Sequence, residues 1–320
     1  LRQHRQVAGV KESTGEEYEK VLRLRLLPAF GDQPINAITR GAVKAFVARL
    51  REEGSVRWAG KGLSAASVRC TITPLRLILG EAVDAGLLQA NPAVRVGKWN
   101  RRRTEAEAEG AAPFNAAELR AIAKTVQDQV PLLWPLIGVW VQSGMREGEV
   151  FGLQWKDLDL DAGTAIVRRT LSKGRLGSPK TGRSRVVKFI HPLLDQPEAV
   201  LEALQALRSV REAEAAVAGQ ELNPEGFVFT RADGRPMNLD VLHSAWRRCL
   251  RLAGVRYRNP EQLRHTFAST LLSRGWPLLY VQAQGGWADA TTLLKHYARW
   301  IPREAPVIPQ PNATPAQLAS

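Results

Sequence analysis

Apolar residues recur at helical spacing on both sides of one stretch of this chain, residues 95–112, and lose that spacing within it. A periodic apolar stripe marks a face that must be buried, and its loss marks chain with nothing to bury. At 320 residues the chain also exceeds the usual size of one domain. Two separate cores are therefore predicted, with residues 95–112 as the linker between them. Lys98, Arg101, Arg102 and Arg103 precede an acidic-alanine run there. Such a run is either simply solvated or lies along a phosphate backbone.

Residues 1–94 read as helices. TGEEYEKVLRLRLLPAFG places acidic residues early and a Pro-x-x-Gly break late. ITRGAVKAFVARLREEG spaces Ile38, Val43, Phe46, Val47 and Leu50 on one face, and LSAASVRCTITPLRLILGEAVDAG repeats the pattern despite Pro74. Residues 113–300 form a second, mixed domain. Asn115, followed by Glu118, is an N-cap signature, and the segment through PLLWPLIGVWVQSG is apolar. GTAIVRRT, SRVVKFI and GFVFT read as short strands, and helical spacing returns in VLEALQALRSVREAEAAVAG, LDVLHSAWRRCLRLAG and the chain from Pro260 to Trp300. Residues 301–320 are Pro-rich and polar, an arm or a tail. The predicted fold class is mainly α with a small β-sheet: an all-helical N-terminal domain, a linker, and an α+β domain.

Forty-five Lys and Arg oppose 31 Asp and Glu, a formal net charge of +14 shared by both halves of the chain. That excess favours a polyanionic partner, nucleic acid above all, through counterion release. No stretch reaches the run of roughly 18 uncharged apolar residues that a membrane helix needs, and the first residues lack a signal-peptide core. Cys70 and Cys249 form no CxxC pair, which fits a reducing cytoplasm. Leu stands at position 1, and the methionines are Met145 and Met237, so a preceding segment is expected.

The sequence lacks HExxH, an EF-hand loop, GxxxxGK[ST] and a carboxylate cluster at metal spacing, so metal-dependent nucleases and NTPases find little support and neither cofactor nor metal is expected. Phosphoryl transfer without metal needs fixed cations against the transition-state charge, and the planar fork of arginine suits that task. Four segments carry such groups. SGMREGEV holds Arg146 at a helix start with Glu149 three residues on, and EQLRHTFAS holds Arg264 with Glu261 three residues before it. SPKTGRSRVVKFIHP holds Lys180 in a polar turn that also contains Lys173 upstream, and QGGWADATTLLKHYARW holds Trp287 and Tyr297.

In order and spacing these segments resemble the catalytic domain of the tyrosine recombinases, the phage integrase family of site-specific DNA recombinases, over roughly Phe114 to Trp300. Residues 10–95 look like that family's core-binding domain. The resemblance implies that Tyr297 attacks the scissile phosphate to give a 3′-phosphotyrosine link, that Arg146 and Arg264 bind its non-bridging oxygens, and that Lys180 protonates the leaving 5′ oxygen. Trp287 takes the family's His or Trp position, as an indole donor or as packing against the nucleophile, and Glu149 steadies the first arginine. The resemblance also implies double-stranded DNA as partner, a homotetramer on DNA, accessory DNA-bending proteins, and a cytoplasmic, nucleoid-associated protein of a bacterium, phage or mobile element. A phenol is a poor nucleophile at neutral pH unless cations favour its ionised form, and two arginines and a lysine supply that field.

One position departs from the family: Glu261 stands where it usually has His. A carboxylate repels a phosphate and donates a hydrogen bond only when protonated. Glu261 acts as a base, orients Lys180 or an arginine, or marks a weakened enzyme. His265, one residue past Arg264, is turned about 100° to another face and is not expected to substitute. His191, His243 and His296 read as structural or surface residues. A catalytically silent DNA-binding relative and a tyrosine-dependent relaxing topoisomerase are the competing functions.

Overall fold

The computed structural model describes residues 12–54, 62–97, 112–180 and 182–302. The chain divides into two units, Leu1–Thr104 and Glu105–Ser320, each with its own apolar cluster. Lys98, Arg101, Arg102 and Arg103 of the predicted linker, and the predicted arm beyond Pro302, lie outside the described residues.

In the first unit, helix α1 (Glu12–Val21) runs into a π-helical turn at Leu22–Leu26 and then α2 (Leu27–Phe30). The turn ends two residues before Pro28, whose ring nitrogen has no hydrogen for the regular i−4 bond. Helix α3 (Arg40–Glu52) starts where the Thr39 hydroxyl accepts from the Ala42 N–H at 3.2 Å, and α4 (Ala65–Asp84) where Ser64 does the same for Ser67 at 3.2 Å. Val43, Phe46, Val47 and Leu50 of α3 and Val68, Ile72, Leu75 and Leu79 of α4 are buried at i, i+3 or i+4 spacing. Each such side chain contributes ~1.5–3 kcal/mol.

In the second unit, Asn115 and Glu118 close a full capping box at the start of α5 (Ala116–Gln129). Helix α6 (Trp134–Ser143) is buried at all ten positions, which makes it the axis on which α8 (Ala199–Val217) and α10 (Gln262–Ser273) pack. Between them come α7 (Glu147–Phe151), the strands, and α9 (Leu239–Leu252). Helices α11 (Leu278–Gly285) and α12 (Ala290–Tyr297) follow α10. Strands β1 (Leu158–Asp159), β2 (Thr164–Val167) and β5 (Arg185–Lys188) form an antiparallel sheet with Ala165 opposite Val187. Strands β3 (Thr170–Ser172) and β4 (Arg175–Gly177) form a separate hairpin, whose Lys173–Gly174 turn has φ of 50° and 77°, as a tight hairpin of this hand requires. The fold is thus mainly helical with small antiparallel sheets.

GFVFT differs from its sequence reading. Phe227 bridges Gln154 and Thr230 bridges Pro236 only as isolated pairs, and Val228 and Phe229, adjacent in sequence, are both buried. The segment is fixed by apolar burial on both sides, which breaks the alternation a half-buried strand would show.

His191 is buried under α6. Its Nδ1–H donates to the Gln142 carbonyl at 2.6 Å and its Nε2 accepts from the Tyr280 hydroxyl at 2.9 Å. Burial, opposed by the Gln142 bond and assisted by Lys188, holds its pKa down at about 4. The neutral ring is therefore the folded form. Its stabilising contribution is complete above pH ~6.5 and is lost as pH falls towards 4. In urea titrations, wild type should lose on the order of 2 kcal/mol more than His191→Gln between pH 7 and pH 4. Parallel losses would exclude this coupling.

Candidate active site

The last carbonyls of a helix have no partner within it, and the aligned dipoles make that end negative. At the end of α11 the Gln282 carbonyl accepts from the N–H groups of Gly286 and Trp287, with Gly286 in the left-handed region at φ 69°. The Ala283 carbonyl also accepts from the Gly286 N–H, at 3.2 Å, and the three carbonyls after it each take an arginine. Gln284 accepts from Arg185 Nε at 2.8 Å, Gly285 from Arg264 Nη1, and Gly286 from Arg146 Nη1 at 3.1 Å. A Cβ on Gly286 would stand 2.6 Å from the Arg185 guanidinium carbon, so this close approach needs glycine.

Arg146 precedes α7, and its backbone N–H donates to Glu149 Oε2 at 2.9 Å while its Nη1 reaches Glu149 Oε1 at 3.3 Å. Arg185 binds the same carboxylate with both arms, Nη1 to Oε1 at 3.2 Å and Nη2 to Oε2 at 2.7 Å. Glu149 is 1% exposed. Burial alone would raise its pKa, but the hydrogen bonds and charges of Arg185 and Arg146 outweigh it and hold the carboxyl below its usual range. The Arg146 side chain keeps 25% of its surface open.

Arg264 is 3% exposed and donates from Nη1 to the Gly144 carbonyl as well as to Gly285. Gly144 ends α6 at φ 63°, where a Cβ would meet the Phe267 ring at 2.4 Å. Burial and the neighbouring Arg146 bring the Arg264 pKa down to about 10, with Glu149, Glu261 and Tyr297 acting against that, so the guanidinium stays charged at neutral pH. Its carbon lies 3.8 Å from the centroid of the Trp287 ring, which meets Tyr297 edge-on with centroids 5.6 Å apart. Tyr297 is 1% exposed and closes α12. Burial pushes its phenol well above the usual value, Arg264 and Arg146 pull it down and Glu261 pushes it up. Its hydroxyl is in hydrogen-bond contact with His265 Nδ1.

Glu261 stands at the N-terminus of α10 and accepts from the Glu147 backbone N–H. Burial raises its pKa while Arg264 and Arg146 lower it. Burial and Glu261 together push the Glu147 carboxyl up to about 7. The two acids therefore titrate as a coupled pair beside the arginines.

The fold thus gathers Arg146, Glu149, Arg264, Trp287, Tyr297 and Glu261 into one cluster. Lys180 is exposed in the turn between β4 and β5, and no hydrogen bond or ion pair among the described residues joins it to that cluster or to Glu261. Sequence reasoning missed Arg185, Glu147 and His265. Arg185 shares a strand face with buried Val187 and Phe189, and a charged residue at an inward position of an apolar strand was the available signal. Helical angle alone turns His265 to another face, yet its ring reaches the Tyr297 hydroxyl. Converging cations around a phenol are suited to holding an anion next to an oxygen nucleophile.

The model of the Phage integrase family matches residues 113–302, and that of the phage integrase N-terminal SAM-like domain matches residues 3–51. Two Escherichia coli K12 proteins, the defective protein IntQ and the prophage integrase IntR, are each 30% identical over 252 and 253 residues, 75% of this chain and 61% and 59% of theirs. The chain spans about three fifths of the length of these relatives. Among solved structures, the Tn1549 transposon integrase in complex with a circular intermediate DNA superposes with a TM-score of 0.73 at 21% identity, covering 92% of each chain.

Replacing one partner of a buried ion pair leaves the other unpaired at a cost of ~3–5 kcal/mol. Arg185→Met and Glu149→Gln should each destabilise on that scale, and the double variant by clearly less than the sum. A double-mutant cycle by urea denaturation measures this. Additive costs would show that the pair carries no coupling.

Proposed function

The chain belongs to the phage integrase family, and on that premise we propose that it is a site-specific DNA recombinase that cleaves and rejoins strands through a 3′-phosphotyrosine link at Tyr297. The observation that carries this reading is the arginine pair held on the α11 carbonyls, with Arg264 stacked on Trp287 and Trp287 packed on Tyr297. Arg146 and Arg264 bind the non-bridging oxygens of the scissile phosphate, and Glu149 with Arg185 holds Arg146 in place. The Tyr297 oxygen attacks phosphorus, the P–O5′ bond breaks, and the 5′ oxygen takes a proton from Lys180. Lys180 stands on an exposed turn, open to a bound duplex, where it meets the 5′ oxygen. The new ester conserves the phosphodiester, so religation needs no nucleotide hydrolysis. The +14 charge and the DNA complex of the Tn1549 integrase support double-stranded DNA as substrate. Exchange between two duplexes uses four nucleophiles, hence a homotetramer on DNA.

A second reading, a silent DNA-binding relative, is favoured by one observation, the Glu261 carboxylate beside the arginines. With a nicked suicide substrate, wild type should form a covalent complex and Tyr297→Phe should form none while binding DNA about as well. Undiminished trapping by Tyr297→Phe would reject the nucleophile, and no trapping by wild type would favour the silent relative. Recombination of a two-site substrate distinguishes this enzyme from a relaxing topoisomerase. Glu261 holds the Glu147 N–H and faces both arginines, so Glu261→His and Glu261→Gln should both slow single-turnover cleavage, by ~10²-fold. A faster Glu261→His variant would mark the wild-type site as impaired.

A further inference from the structure

Attack by a phenol on phosphorus requires that its proton leave, and the roles above provide no acceptor for it. Arg146 and Arg264 hold phosphate oxygens, and Lys180 serves the leaving group. Burial strengthens the need, because it disfavours the phenolate. Glu261 is a nearby acid, but its carboxylate is engaged by the Glu147 N–H, and no hydrogen bond among the described residues links it to the hydroxyl. The side chain that does touch the hydroxyl is His265, through Nδ1, with ring centroids 5.7 Å apart. The helix that fixes Arg264 against the α11 carbonyls therefore also fixes an imidazole on the attacking oxygen, since the two residues are consecutive on α10.

We propose that His265 is the general base of strand cleavage, a role that rests on Tyr297 being the nucleophile. With its other nitrogen protonated, His265 Nδ1 accepts the hydroxyl hydrogen. As the Tyr297 oxygen bonds to phosphorus, the O–H bond breaks and the proton passes to Nδ1, giving imidazolium. The P–O5′ bond breaks, and the 5′ oxygen takes a proton from Lys180. In religation the flow reverses: the 5′ hydroxyl returns its proton to Lys180 and attacks phosphorus, and the departing phenolate takes the proton back from imidazolium. Imidazole is suited to both directions because its titration lies near neutrality.

The test uses the full chain and a suicide substrate in single-turnover cleavage across pH 5.5 to 9. In His265→Asn the amide oxygen occupies the place of Nδ1, two bonds from Cβ, so the hydroxyl keeps an acceptor that cannot carry away its proton. This variant should fold and bind DNA as wild type does, yet cleave ~10²-fold more slowly, and should lose the wild-type fall in rate at acid pH. The charges that act on the phenol, Arg264, Glu261 and Arg146, together with Glu147 beside Glu261 and His296 against the Tyr297 ring, are common to both proteins, so the limb that disappears belongs to His265. Placing 3,5-difluorotyrosine at 297, a phenol that ionises without help, should restore most of the lost rate in His265→Asn and change wild type little. Wild-type rate and pH profile in His265→Asn would overturn the proposal. So would a slow His265→Asn whose profile is unchanged and which difluorotyrosine does not rescue, since that is what a packing role gives. Trapping by Tyr297→Phe would instead overturn the nucleophile itself, which keeps the two failures apart.

Discussion

Three successive carbonyls at the end of one helix, those of Gln284, Gly285 and Gly286, each bind a different arginine. Arg185 comes from β5, Arg264 from α10 and Arg146 from the turn before α7, so segments distant in sequence converge on a single helix end. The negative end of α11 and the buried Glu149 together oppose the repulsion between guanidiniums that would otherwise keep them apart. With orientation fixed by folding, the cations need little rearrangement to meet a phosphate, and such preorganisation is what stabilises a developing charge. The glycines follow from the same constraint, since a Cβ at Gly286 would collide with the Arg185 guanidinium and one at Gly144 with the Phe267 ring.

The arrangement sets acids against bases as well as gathering cations. Glu147 and Glu261 both have raised pKa values: burial and the Glu261 carboxylate raise Glu147, and at Glu261 burial outweighs the pull of Arg264 and Arg146. With the Glu147 carboxyl raised to about 7, the charge beside the arginines changes as pH passes through neutrality. Tyr297, buried against Trp287 and Trp300, has its hydroxyl turned to His265. Charge around the phenol is set by residues of α7 and α10, whereas its position is set by aromatic packing.

Much of this was legible in the sequence, and the failures have physical causes. Arg146 with Glu149 was readable from three-residue spacing at a helix start, and Asn115 with Glu118 from capping chemistry, because both depend on local geometry alone. Arg185 was hidden because its partners, Glu149 and the Gln284 carbonyl, lie 36 and 99 residues away. For His265, position along the helix is a poor guide to where the ring reaches. The rotation of about 100° per residue separates Cβ atoms, but Arg264 reaches Tyr297 through Trp287, while the His265 ring meets the hydroxyl directly. GFVFT reads as a strand because apolar β-formers dominate it, but Val228 and Phe229 are both buried, and two adjacent buried side chains do not follow a period of two.

In the proposed reaction the carbonyl-held arginines deliver a phosphate to Tyr297. The most direct test is to identify the covalently modified residue by mass spectrometry, after proteolysis and nuclease trimming of the complex formed on a suicide substrate. The chain has four tyrosines, Tyr18, Tyr257, Tyr280 and Tyr297. The account predicts a nucleotide adduct on the peptide ending α12, at Tyr297. An adduct on any other residue would contradict it.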